Sequence, residues 1–293
     1  MKELAIISGK GGTGKTSITA SFAALAGNAV LADCDVDASD LHLILKPTVR
    51  RREDFSGGSR AEIDPAACPG CGKCRELCRF DAIEGSGDAP AVFRVDPLSC
   101  EGCGVCARFC PSGAIRFAPV VNGEWYVSDT RFGPMVHARL GPGEENSGKL
   151  VSLVRKEAGR IARELGRGPV IIDGSPGIGC PVIASITGAD LVLAVTEPTL
   201  SGAHDLERVA LLTRHFGVET LVCVNKWDLN PDQAAAIEAL ASRLGLKVAG
   251  KVRYDRAVTE AQVRGEALVE NGGGTAAAGE IADLWARVSL LLR

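Results

Sequence analysis

The 293-residue sequence predicts an α/β fold: a doubly wound, mostly parallel sheet interrupted by a small cysteine-bearing α+β module. Three observations carry this expectation. Short, continuous apolar runs recur between helix-compatible stretches, the pattern of parallel strands buried on both faces. A glycine-rich loop follows the first of these runs directly. Eight of the eleven cysteines crowd between residues 68 and 110, in two runs of identical spacing.

The elements follow in order. Residues 4–7 read as a short buried strand, 8–16 as the glycine-rich loop, 17–26 as a helix and 29–33 as a second strand. Residues 50–62 are polar, rich in Arg, Gly and Ser, and read as a flexible boundary. Residues 63–117 form an internal repeat with an offset of 32: Ile63-Asp64-Pro65 returns as Val95-Asp96-Pro97, and Asp81-Ala82-Ile83 as Gly113-Ala114-Ile115. Such a duplication predicts a compact module with an internal pseudo-twofold. Residues 125–140 suggest a hairpin, and 149–165 a helix capped by Asn146 or Ser147. Residues 170–173, 191–195 and 221–225 are again buried strands, and 279–293 a last helix. That helix carries Ile281, Leu284, Trp285, Val288, Leu291 and Leu292 on one side, for docking on the sheet. Residues 1–62 hold too few strands to fold alone, so they and 118–293 are expected to form one discontinuous domain around the 63–117 insert.

Composition narrows the function. Lys+Arg 33 against Asp+Glu 36 gives a net charge of −3, which offers no global attraction to nucleic acid or to an anionic membrane. The apolar run after Met1 is too short for a secretion signal, and no stretch approaches a membrane span. A cytoplasmic location is expected, where thiols stay reduced. The cysteines then point to metal rather than to disulfides.

Gly9-Lys10-Gly11-Gly12-Thr13-Gly14-Lys15-Thr16 fits G-x-x-x-x-G-K-[ST], between a strand and a helix. Its glycines let backbone N–H groups converge on phosphate oxygens, and the helix N-terminus adds positive potential. Gly9, Gly11, Gly12, Thr13, Gly14, Lys15, Thr16 and Ser17 are the expected cradle of the nucleotide. Lys15 would reach the β- and γ-phosphates and Thr16 would bind Mg²⁺. Asp33 and Asp35 stand at alternate positions of a strand end, where carboxylates reach a metal or an attacking water.

With its second lysine, Lys10, this loop resembles that of the MinD/ParA-type deviant Walker-A ATPases. The resemblance implies that ATP is sandwiched between two subunits, with Lys10 crossing to the partner's nucleotide. The dimer is either a homodimer or a heterodimer with a sister ATPase. The resemblance makes Asp35 the catalytic aspartate of the first switch. It makes Asp173-Gly174-Ser175-Pro176-Gly177 the second switch, with Asp173 holding Mg²⁺ through water, Asp33 in support, and Gly177 sensing the γ-phosphate by its amide. Asn225, at a later strand end, matches the residue that reads adenine. Val252-Arg253-Tyr254-Asp255 departs from the family's Ile-Pro-Tyr-Asp.

Cys68-x₂-Cys71-x₂-Cys74-x₃-Cys78 and Cys100-x₂-Cys103-x₂-Cys106-x₃-Cys110-Pro111 are two copies of the bacterial ferredoxin run, in which the fourth cysteine binds the other cluster. One [4Fe–4S] cluster would take Cys68, Cys71, Cys74 and Cys110, the other Cys100, Cys103, Cys106 and Cys78. Two zinc sites would use the same eight residues. Arg79 stands where the second run has Pro111, and a cation there would stabilise a reduced cluster. Cys34 and Cys223 are assigned to packing. Cys180 is read as a small buried residue, and the resemblance implies a metal at a dimer axis as its other use.

Together these features predict an ATP-hydrolysing switch with a two-cluster ferredoxin insert, gating electron delivery to a metalloprotein partner. A carrier that assembles or inserts iron–sulfur or other metal centres is the alternative.

Overall fold

The computed structural model describes every residue except 87–90, 142, 143, 145–147 and 271–273. The cap expected at Asn146 or Ser147 lies outside the described residues. Two compact units emerge. One comprises Met1–Glu53, Trp125–Arg139 and Asn146–Arg293, the other Asp54–Glu124 and Leu140–Glu145.

The larger unit begins with β1 (Glu3–Ser8), α1 (Lys15–Ala26), β2 (Val30–Asp33), α2 (Leu41–Leu45) and β3 (Thr48–Phe55). Its nine-stranded sheet places β1 fourth from one edge, and the strands other than β1, β2 and β3 come from later in the chain. The smaller unit, β4 to β7, intervenes and is taken up below: β4 (Gly58–Ile63), α3 (Lys73–Leu77), β5 (Ile83–Gly85), β6 (Phe93–Val95), α4 (Val105–Arg108) and β7 (Ile115–Val120). The chain then runs through β8 (Gly123–Thr130), β9 (Gly133–Leu140), α5 (Lys149–Leu165), β10 (Val170–Pro176), α6 (Cys180–Ile186), β11 (Leu191–Thr196), α7 (Leu200–His215) and β12 (Glu219–Asn225). It closes with α8 (Pro231–Arg243), β13 (Lys247–Val252), α9 (Arg256–Arg264) and α10 (Ala276–Leu290).

The strand order is β13-β12-β11-β1-β10-β2-β9-β8-β3. The pairs from β13 through to β9 are parallel. Burial on both faces explains the unbroken apolar strands: Leu4, Ile6, Leu31, Ile171 and Leu193 have no exposed surface. The order reverses beside β1, so the loop leaving its carboxyl end opens into the crevice where such sheets bind ligands. The register sets Asp33 of β2 beside Asp173 of β10, and Asp173 beside Ile6 of β1.

The last helix docks as its pattern predicts. Ile281, Leu284 and Val288 are buried, and Trp285 meets Phe22 of α1 at 4.9 Å between ring centroids. Leu291 leaves the stripe and stays exposed. The hairpin is present as β8 and β9. Residues 50–62, expected to be flexible, instead contribute to β3 and β4. Polar strands escape an apolar-pattern reading: β3 is held by the Arg50–Asp129 ion pair and by Arg51 stacked 5.1 Å over Trp125. Strand β13 was likewise not expected, because Lys247, Gly250 and Lys251 break its apolar run.

The smaller unit is wider than residues 63–117, because β4 begins before them and β7 ends after them. It is built by exchange. β4 pairs antiparallel with β7, with Ile63 opposite Ile115; β5 pairs antiparallel with β6, with Ile83 opposite Val95. The 32-residue offset converts one ladder into the other. Asp64 N–H donates to Ala114 O at 2.8 Å, and Asp96 N–H to Ala82 O at 2.8 Å, the same bond in the two copies. Gly70 and Gly102 both take positive φ, 75° and 60°. A Cβ at Gly102 would lie 2.1 Å from Ser59 O, so glycine is required there.

Candidate functional site

The glycine-rich loop wraps the N-terminus of α1 and lines a cavity of about 390 Å³ with Asp35, Asn225 and the 252–255 loop. That volume is in the range of small-molecule sites. The loop sequence is shaped by close packing. A Cβ on Gly9 would sit 2.2 Å from Asp205 Cβ of α7. Gly14 has φ +86°, and a Cβ there would sit 2.3 Å from Asn225 Nδ2.

Lys15 is buried and donates to Asp35 Oδ2 at 3.1 Å and to Asp173 Oδ1 at 2.9 Å. Thr19 of α1 also donates to Asp173 Oδ1, at 3.1 Å. The opposite oxygens, Asp35 Oδ1 and Asp173 Oδ2, are buried without a hydrogen-bond partner, as is Thr13 Oγ1. Orphaned carboxylate oxygens beside a phosphate-type loop fit a divalent cation. Burial pushes the Asp35 carboxyl up, against the pull of Lys15. Lys15 itself is held above its ordinary range: burial acts to lower it, and Asp173 and Asp35 outweigh burial.

Asp33 is wholly buried. Burial, and then the neighbouring Asp173 carboxylate, push its carboxyl up to about 8. Ser39 Oγ donates to Asp33 Oδ2 at 2.6 Å and the Asp35 amide to Oδ1 at 3.2 Å, so both oxygens serve the loop that carries Asp35. The Gly177 amide donates to Ser8 O at 2.8 Å, and Ser175 Oγ to Cys34 O at 2.7 Å, which ties the Asp173 loop to its neighbours. Asn225 lines the cavity while its Nδ2 donates to Thr13 O at 2.7 Å. Sequence reasoning assigned Asn225 to the base alone; here it also fixes the loop.

Lys10 meets Glu197 Oε1 at 2.6 Å and Ser201 Oγ at 3.1 Å. Lys226 donates to Gly12 O at 2.9 Å and reaches Glu197 Oε2 at 3.3 Å. Glu197, Ser201 and Lys226 were not anticipated as site residues. Glu197 lies just past the carboxyl end of the parallel strand β11, and its hold on Lys10 has no local signal in the sequence.

Eight of the eleven cysteines gather in the smaller unit, and all eleven are free. One hollow is lined by Cys68, Cys71, Cys74 and Cys110, with Ile63, Phe93 and Ile115. A second is lined by Cys78, Cys100, Cys103 and Cys106, with Ile83 and Val95. The exchange of strands causes this grouping. β4 delivers the first run to the end of the unit where β7 leaves the second. Among the described residues no three His, Cys, Asp or Glu are placed to hold a single metal ion. Cys34 and Cys223 are buried, as expected. Cys180, read as a small buried residue, is instead exposed at the start of α6, outside the apolar strands that enclose Cys34.

Residues 4–269 match the family described as the CobQ/CobB/MinD/ParA nucleotide binding domain. The chain belongs to that family. The CobQ/CobB/MinD/ParA match spans both flanks of the cysteine unit. Among curated proteins the chain is similar to protein MJ0578 of Methanocaldococcus jannaschii, 38% identical over 232 residues, covering 78% of this chain and 79% of the relative. It is also similar to MJ0579 of the same organism, 26% identical over 276 residues and covering 92% of each. Its fold is similar to that of the Pyrococcus furiosus cell division ATPase MinD, with TM-score 0.61, 18% identity and 99% of each chain covered. The septum site-determining protein MinD of Pyrococcus horikoshii, solved with Mg-ADP, gives TM-score 0.61 at 17% identity, covering 99% of this chain and 96% of that one. Among the described residues no helix is long and apolar enough to cross a membrane.

Proposed function

We propose that the chain is an ATP-hydrolysing, dimer-forming nucleotide switch that gates electron delivery by a two-cluster ferredoxin unit to a metalloprotein partner. The grouping of the eight cysteines carries this reading: each hollow takes three from one run and the fourth from the other, the ligand set of two [4Fe–4S] clusters. Mg²⁺ with ATP would be held by Thr16, Asp173 and Asp35, with Asp33 fixing the Asp35 loop. The metal would neutralise phosphate charge. Lys15 would exchange its two carboxylates for phosphate oxygens, and the Gly177 amide would exchange Ser8 for the γ-phosphate. Asp35 would then orient the attacking water. Lys10 would reach the nucleotide of a second subunit, either the same chain or a sister ATPase.

The alternative is a cluster carrier, favoured by the exposure of Cys71 and Cys103, one ligand of each site. Anaerobic purification followed by iron and sulfide analysis, with redox titration in the presence and absence of a non-hydrolysable ATP analogue, tests both. The switch reading expects about eight iron and eight sulfide per chain. A coupling of ~1–3 kcal/mol then lowers a cluster potential by roughly 45–130 mV. Potentials identical in every nucleotide state, with iron passing to an apo-acceptor, favour the carrier. A zinc-loaded, iron-free preparation refutes both.

A further inference from the structure

The two cysteine sites are related by a 32-residue offset, so each residue near one has a counterpart near the other, and the differences stand out. Pro111 answers to Arg79, and Ser112 to Phe80. Arg79 is exposed, so its charge is screened by solvent. Ser112 and Phe80 each line their own hollow, two residues past the crossing cysteine. Ser112 Oγ lies 3.5 Å from Cys110 Sγ, within hydrogen-bonding range for sulfur. Phe80 is 45% exposed and offers Cys78 no donor.

A hydroxyl donated to a ligand sulfur stabilises the extra negative charge of a reduced iron–sulfur site and raises its potential. We propose that Ser112 sets the two sites apart, its hydroxyl giving the site of Cys68, Cys71, Cys74 and Cys110 the higher reduction potential, while Phe80 leaves the other site low. The inference rests on the cluster reading above. Ser112 acts through Cys110 and is therefore a positioning residue. The pair makes the unit a graded carrier, with the low-potential site receiving from a strong reductant and the high-potential site retaining the electron.

The test is redox titration of the full chain, purified anaerobically and followed by electron paramagnetic resonance. Wild-type protein should show two separated one-electron waves. Ser112→Ala should lower the upper wave, changing the reduced-to-oxidised ratio about tenfold at fixed potential, or ~59 mV. Ser112→Thr, which keeps the hydroxyl, should restore it, and Phe80→Ser should raise the lower wave. Two clusters bound, with both waves unmoved by Ser112→Ala, overturn the inference and leave the cluster reading standing. Wild-type protein that binds no iron–sulfur cluster overturns both.

Discussion

Lys10 and Glu197 are joined within one chain, Nζ to Oε1 at 2.6 Å, and Glu197 also reaches Lys226. Burial acts to raise the Glu197 carboxyl, yet Lys10 and Lys226 hold it below the usual range. A lysine that serves a second subunit must first leave this partner. Lys10→Ala should therefore bind ATP as a monomer and fail to dimerise on addition of a non-hydrolysable analogue. Glu197→Gln should strengthen that dimerisation. The ion pair is one-third exposed at Lys10, so the gain is bounded at ~1 kcal/mol, about fivefold. Size-exclusion chromatography with light scattering reads both, and an unchanged dimer in Lys10→Ala contradicts the role.

Lys15 neutralises two buried carboxylates, and removing it does more than empty the phosphate site. Lys15→Ala should abolish nucleotide binding and cost ~3–5 kcal/mol of stability, because Asp35 and Asp173 lose their cation. The double variant Lys15→Ala, Asp35→Asn should recover part of the stability and none of the binding. Denaturant unfolding and calorimetric titration separate the two effects. Full stability in the single variant would mean that the carboxylates find another partner.

If the hollows hold clusters as proposed, the strand exchange implies crossed ligation. Cys110→Ala should damage the site of the first run, and Cys78→Ala that of the second. Cluster-specific spectra of each variant decide this, since loss confined to the variant's own run refutes the crossing.

His137 supplies a pH dependence away from both sites. Burial, and then nearby His42, push its imidazole down to about 4. It stacks on Tyr126 at 4.9 Å and meets Ser128 Oγ at 2.8 Å. The unfolded chain binds this proton near pH 6.5 and the folded one does not. Stability from this residue is thus full above that pH and is lost as pH falls towards 4, by up to about 3 kcal/mol. His137→Gln should flatten the acid limb of a melting-temperature profile, and an unaltered limb would assign the loss elsewhere.

Much of this was legible in the residues. The phosphate loop, Asp35, Asp173 and the cysteine runs announce themselves because each needs fixed residue types at fixed spacing. The parallel strands were legible because burial on both faces leaves only apolar side chains. What escaped depends on distant partners. β3 looks like a linker, since Arg50 and Arg51 gain their order from acids and a tryptophan elsewhere in the chain. Glu197 gives no local sign that it holds Lys10. Asn225 was assigned to a base, when its amide also braces a loop 212 residues away in sequence.

Both ladders of the cysteine unit run between its halves, β4 with β7 and β5 with β6. A single half, cut from its sibling, would carry three cysteines of one hollow, the fourth of the other, and two bare strand edges. It would be complete only when swapped with an identical twin, which would restore both ladders and both sets of four cysteines at once. The duplicated unit thus has the form of a homodimer written in one polypeptide, and positions such as Phe80 and Ser112, which identical twins would be bound to share, are free to differ in it.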